Sequence, residues 1–151
     1  MILCGIATKP VKRGPMVPAD IGVITSTGLN GNYYGALRNI ARSNRQVTVI
    51  SSEQWLEAMN ELGADIPWYM RRANLCIKGY SFGPSDVGKT LAIGSSAILQ
   101  ITGETDPCKR MEEILPGLQV VLTPSWRGGV TCRAILAGGI RVGDRVSIHS
   151  P

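Results

Sequence analysis

One sulfur atom in this sequence has a setting suited to chemistry. The four cysteines, Cys4, Cys76, Cys108 and Cys132, contain no Cys-x-x-Cys pair, which excludes zinc ribbons and thioredoxin-like dithiols. A single histidine, His149, leaves Ser-His-Asp catalysis and histidine-rich metal sites without residues. Cys4, Cys76 and Cys132 sit in apolar, strand-like stretches where burial makes a thiol inert. Cys108 differs. It follows Gly103-Glu104-Thr105-Asp106-Pro107 and precedes Lys109-Arg110. Asp106 is a good helix N-cap and Pro107 a good first helical residue, which places Cys108 in the first turn. Free backbone amides, the helix dipole and the two cations would there favour thiolate over thiol. On residue types alone, Cys108 reads either as a functional thiol or as a semi-exposed structural cysteine.

Basic residues recur at turns. Arg71-Arg72-Ala73-Asn74 precedes the apolar run Leu75-Cys76-Ile77, Asn44-Arg45-Gln46 precedes Val47 to Ser51, and Trp126-Arg127-Gly128-Gly129 precedes Val130. Loop arginines in such places can project into a pocket and bind phosphate or planar anions. The plainer reading of each is a solvated basic turn. Gly83-Pro84-Ser85-Asp86-Val87-Gly88-Lys89-Thr90 satisfies the phosphate-loop pattern, which requires a helix at its end. Leu91-Ala92-Ile93-Gly94 is alternating and glycine-broken. Moreover, Val87 to Ser95 echoes Val142 to Ser150, where Asp144 replaces the lysine. The match is therefore read as a turn feeding a strand.

The elements that must position these residues are short. Eighteen glycines and nine prolines punctuate apolar runs mostly too brief for helices, the pattern of a β-rich barrel or sandwich. Strands are predicted over Ile2 to Thr8, Gly22 to Ser26, Gln46 to Ser51, Asn74 to Lys78, Leu91 to Ile93, Ala97 to Gly103, Val130 to Ala137 and Arg145 to His149. Ser52 to Gly63 reads as a helix with a serine N-cap, apolar residues at 55, 58, 59 and 62, and a terminating glycine. A short helix is predicted from Pro67 towards Arg72, and another from near Pro107 that breaks at Pro116-Gly117 and resumes over Leu118 to Leu122.

With 151 residues, 44% hydrophobic and 18% charged, the chain has material for one cored domain, residues 1–151. It shows no membrane-length apolar run and no basic presequence, and is expected to be cytoplasmic with reduced thiols. The net charge of +5 permits a polyanionic partner. A basic β-barrel that binds nucleic acid without chemistry is the alternative, disfavoured by scattered cations and a single Phe for stacking.

Five ordered blocks, Arg45-Gln46-Val47-Thr48, Arg72-Ala73-Asn74-Leu75, Gly103 to Cys108, Trp126 to Val130 and Gly138 to Asp144, resemble small bacterial MOSC-domain proteins. These are relatives of the C-terminal domain of molybdenum cofactor sulfurases. The resemblance implies a closed, mostly antiparallel β-barrel with two or three short helices. It implies that Cys108 carries sulfur as a persulfide or ligates molybdenum in the pterin cofactor (molybdopterin), and that Arg72 and Asn74 contact the pterin and its phosphate. Arg45, Lys109 and Arg127 are carried over by nearness to matching blocks. The implied activity is sulfur transfer or, with metal bound, reduction of N-hydroxylated substrates. The chain lacks a pyridoxal phosphate desulfurase domain, so a separate cysteine desulfurase would supply sulfur, and a flavin or iron–sulfur partner would supply electrons. Many relatives carry an aspartate where this chain has Asn32 in Gly31-Asn32-Tyr33-Tyr34.

Overall fold

The computed structural model describes residues 1–34 and 40–151. Eleven strands are described: β1 (Ile2–Thr8), β2 (Val17–Ala19), β3 (Ile21–Thr25), β4 (Gly28–Leu29), β5 (Val47–Ser51), β6 (Leu75–Lys78), β7 (Thr90–Ile93), β8 (Ala97–Glu104), β9 (Val130–Leu136), β10 (Gly138–Arg141) and β11 (Val146–His149). Three helices accompany them: α1 (Ser52–Leu62), α2 (Lys109–Ile114) and α3 (Leu118–Leu122).

The expected closed barrel is not what these strands form. Eight of them make one sheet in the order β11-β7-β8-β9-β5-β6-β1-β2, and a separate three-stranded sheet runs β10-β3-β4. The large sheet therefore has two ends, β11 and β2. β1 meets the β11 end only through the isolated Ile2–Arg145 bridge and flanking backbone bonds such as Val146 N–H to the Met1 carbonyl, 2.9 Å. The pairing is antiparallel except between β5 and β6, which are parallel and joined through α1. Counting apolar runs finds strands, but whether a sheet closes depends on pairing between distant segments that a linear pattern does not encode.

Two apolar clusters flank the sheet. Val47 and Val49 of β5 and Leu75 and Ile77 of β6 join the larger one, together with Ile24, Leu29 and Ile140 of the small sheet. Ile50 and Cys76 turn to the other face and pack with Trp55, Met59, Met111, Leu118 and Leu122 of the three helices. Burial on both faces accounts for the nearly unbroken apolar sequence of these two strands.

α1 matches its predicted span, with the cap one residue earlier. The Ser51 side chain accepts from Gln54 N–H at 3.2 Å, and Gly63 closes the helix in left-handed backbone, φ 69°. The start of α2 is shifted in the other direction. Cys108 itself is the extended N-cap residue, and Asp106 and Pro107 precede the helix. The internal echo becomes a pair of neighbours: β7 and β11 are antiparallel, with Ile93 opposite Val146 and Thr90 opposite His149. The phosphate-loop match ends in strand β7, and its Lys89 ammonium pairs with Asp86 at 3.1 Å. Among the described residues no helix is long and apolar enough to cross a membrane.

Candidate functional site: a basic cavity beside Cys108

The loop after β1, the segment Asn32 to Tyr34, the start of β5, the entry to β6 and the start of α2 converge on one cavity of about 380 Å³. Six cationic side chains line it, Lys9, Lys12, Arg13, Arg45, Arg72 and Arg110, and no lining residue is acidic. Among the described residues, ion pairs involve Lys89 with Asp86 and Arg127 with Glu57 and Glu61, so none of the six cavity cations has a carboxylate partner. Uncompensated like charge in a confined space is costly, and an anionic ligand relieves it. The repulsion is visible on individual groups. Burial, then Arg72 and Arg110, hold the Lys9 ammonium below its usual range. Burial and then Arg110 do the same to the Arg72 guanidinium.

Arg72 ends the tight helical turn Trp68–Arg71 in left-handed backbone, φ 67°, and its Nη2 donates to the Gly14 carbonyl at 3.0 Å. That single bond leaves most of its donor fork free for a ligand. Asn74, two residues on, is buried and fully engaged. Its Oδ1 accepts from Thr48 N–H and hydroxyl, at 3.1 and 3.3 Å, while Nδ2 donates to the Ala7 carbonyl and Asn32 Oδ1, both at 3.2 Å. Asn74 thus builds the cavity floor and has no polar group left over for a ligand. Gln46 is likewise buried and spent, donating to the carbonyls of Ser26 and Ile40 and accepting from Ala134 N–H. Above them the Tyr34 hydroxyl donates to the Gln46 carbonyl at 2.5 Å and accepts from Leu29 N–H, and burial pushes the phenol up.

Cys108 is exposed and does not line this cavity. It lies close by: Arg110 of the same segment does line it, and a thiolate at Cys108 favours the charged forms of both Arg71 and Arg72. Arg71 is buried without a carboxylate partner. Its Nε donates to the Gly128 carbonyl at 3.0 Å and its Nη2 to the Thr105 carbonyl at 3.3 Å, which ties the Cys108 loop to the Trp126–Gly129 turn. Burial, reinforced by Arg45, lowers its pKa to about 10. Two of the other thiols are poor candidates, Cys76 pushed up by its hydrogen bond with Cys4 and by burial, and Cys132 by burial. Cys4 is half-buried and its hydrogen bond with Cys76 holds its thiol below the ordinary value, but it lies outside the cavity lining with its Sγ donating to the Cys76 carbonyl at 3.3 Å.

Of the residues singled out in the sequence, Arg45, Arg72 and Asn74 meet at the cavity and Cys108 stands beside it. Lys109 is exposed and outside the lining. Arg127 lies elsewhere, bound to Glu57 and Glu61 of α1 and to the Val121 carbonyl. Sequence reasoning passed over Lys9, Lys12 and Arg13. The signal was present as a basic run bracketed by Pro10 and Gly14-Pro15, a loop composition directly after the first strand.

The family profile described as MOSC domain matches residues 30–147. The chain belongs to the MOSC domain family. No curated protein sequence matches it. Among solved structures it is similar to the YuaD protein from Bacillus subtilis, with a TM-score of 0.80 and 21% identity over 99% of this chain and 96% of that one. It is also similar to YiiM from Geobacillus stearothermophilus, TM-score 0.71, 15% identity, 99% and 74% coverage. YiiM from Escherichia coli matches with TM-score 0.72, 15% identity, and 100% and 71% coverage. At these identities the likeness concerns the fold.

MOSC membership links the chain in general terms to molybdenum cofactor and sulfur biology, and the residues present fit one part of such a group. Six unpaired cations suit a phosphate-bearing cofactor. A metal centre built by the protein does not fit: among the described residues no group of three or more His, Cys, Asp or Glu side chains is arranged to hold an ion. The expectation of a molybdenum-ion-binding site is corrected to that extent: the described residues hold no cluster that would bind the ion unaided, and Cys108 would meet a metal only as a single ligand to one its cofactor already holds.

Proposed function

We propose that this MOSC protein binds a phosphorylated pterin of the molybdenum cofactor type in the basic cavity and carries sulfane sulfur on Cys108 at its edge. The observation that carries the reading is the six-cation, carboxylate-free lining next to an exposed thiol. Concentration of charge in a single open cleft of about 380 Å³ suits a small anion rather than a nucleic-acid strand, which needs an extended track. Arg72 and Arg45 would hold the phosphate, and Asn74 keeps the floor rigid beneath it. Bound there, the cofactor would supply the sulfur-accepting centre.

The chain's own chemistry is a thiol–persulfide exchange. The Cys108 thiolate attacks the terminal sulfur of a donor persulfide, such as that of a separate cysteine desulfurase. One S–S bond forms on Cys108, the donor's S–S bond breaks, and the donor leaves as a thiolate. No net oxidant is needed. The test is mass spectrometry after incubation with a cysteine desulfurase and cysteine. An added sulfur on the wild type, absent in Cys108→Ala, supports the carrier role. Sulfur on neither protein, together with no phosphate binding, removes the proposal.

A further inference from the structure

A second cavity, of about 230 Å³, adjoins the first and shares three of its lining residues, Arg13, Arg72 and Arg110; Glu113 completes its polar lining. The three arginines thus form a partition presented to both spaces. Two of them, Arg13 at φ 55° and Arg72 at φ 67°, lie in left-handed backbone, which non-glycine residues seldom adopt without a compensating purpose. Among the described residues neither Arg13 nor Arg110 donates a side-chain hydrogen bond to the protein, and neither has an ion-pair partner. A single phosphate monoester in the first cavity would leave the second face of this partition unused.

We infer that the ligand carries two adjacent phosphate-type groups, a diphosphate ester rather than a monophosphate, with one group in each cavity across the Arg13–Arg72–Arg110 partition. This rests on the proposed anion-binding role of the first cavity and narrows it to a nucleotide-extended or otherwise diphosphorylated cofactor. Planar guanidinium forks engage phosphate oxygens in pairs, so three of them between two cavities match a bridged pair of phosphates. Glu113 sets a limit on the far side: its carboxylate repels a third anionic group.

The experiment is calorimetric titration of the whole protein with inorganic phosphate, pyrophosphate and tripolyphosphate at fixed ionic strength without divalent cations. Pyrophosphate is expected to bind at least about tenfold more tightly than phosphate, and tripolyphosphate no more tightly than pyrophosphate. In the double variant Arg13→Gln/Arg110→Gln, two exposed positions whose replacement leaves the core intact, the preference should fall to within about twofold. In Arg45→Gln, which changes the first cavity only, affinity for both anions should drop while their ratio persists. Equal binding of phosphate and pyrophosphate by the wild type overturns the two-group ligand and leaves a monophosphate site standing. Affinity that simply climbs with anion charge, or a preference unchanged in the double variant, overturns it too. Binding of none of the three removes the anion site itself.

Discussion

Asn74 Nδ2 donates to Asn32 Oδ1 at 3.2 Å on the floor of the basic cavity, and the same Asn32 oxygen accepts from Lys9 N–H at 2.8 Å. Three segments distant in sequence are held by one amide oxygen. Because that atom only accepts, a carboxylate would serve the bonding equally well. Asn32→Asp is expected to leave stability nearly unchanged while placing a negative charge among six cations. Phosphate affinity should fall about three- to tenfold, read by titration calorimetry beside a urea melt. Unchanged affinity would separate Asn32 from the anion site.

Arg72 and Asn74 look alike in the sequence as neighbours before a strand, yet the structure gives them different work. Asn74→Ala strips partners from the buried Ala7 carbonyl and Thr48 N–H and should cost roughly 2–4 kcal/mol of stability. Arg72→Gln loses one partly exposed bond, to Gly14, and should cost less than about 1 kcal/mol while weakening phosphate binding tenfold or more. Chemical denaturation and anion titration of both variants check the contrast. Equal destabilisation by both substitutions would contradict it.

Asp86, outside the cavity lining, makes an acid-dependent contribution to stability. Burial raises its carboxyl, but hydrogen bonds from Tyr80 (2.6 Å), Gly83 N–H (2.9 Å) and Lys89 outweigh this and hold it below the ordinary 3.8. The bond to Asp86 and then burial push the Tyr80 phenol up to about 12. With the folded value below the unfolded one, the stabilisation is complete above the unfolded value and is lost as pH falls through the folded one. Wild type should exceed Asp86→Asn by roughly 1–2 kcal/mol at neutral pH, with the gap closing below about pH 4. A gap constant from neutral to acid pH would show the carboxylate charge to be irrelevant.

Much of the fold is legible in the sequence because its signals are local. The short apolar runs Val47 to Ser51 and Leu75 to Lys78, the α1 face at Trp55, Ala58 and Met59, and the echo that becomes the β7–β11 pair are short-range patterns. What escapes is set by partners far along the chain. Arg127 reads as a pocket residue until α1 brings Glu57 and Glu61 against it. Asn74 reads as a ligand contact until Thr48, Ala7 and Asn32 consume every one of its hydrogen bonds. Sheet closure is of the same kind, since the large sheet stays open between β11 and β2. The start of α2 fails differently: Asp106 and Pro107 read as cap and first helical residue, but the helix begins two residues later, with the extended Cys108 before it and no side-chain cap.

The seat of Cys108 itself depends on a glycine. A Cβ at Gly128 would stand 2.4 Å from the Thr105 carbonyl oxygen and 3.5 Å from Arg71 Nη2, and the first of these is backbone that cannot rotate away. Thr105 is also held by its own N–H to the Gly129 carbonyl at 2.9 Å and by Arg71. Gly128→Ala must therefore displace the Thr105–Cys108 loop, loosen the Arg71 staple and cost about 1–3 kcal/mol. Cys108 remains in that variant but loses its placement beside the cavity. Its persulfide loading by a desulfurase should drop severalfold, although a small alkylating reagent still modifies the exposed thiol fully. Loading at the wild-type rate in a measurably destabilised Gly128→Ala protein would show that sulfur transfer needs only an accessible thiol and not this loop's position.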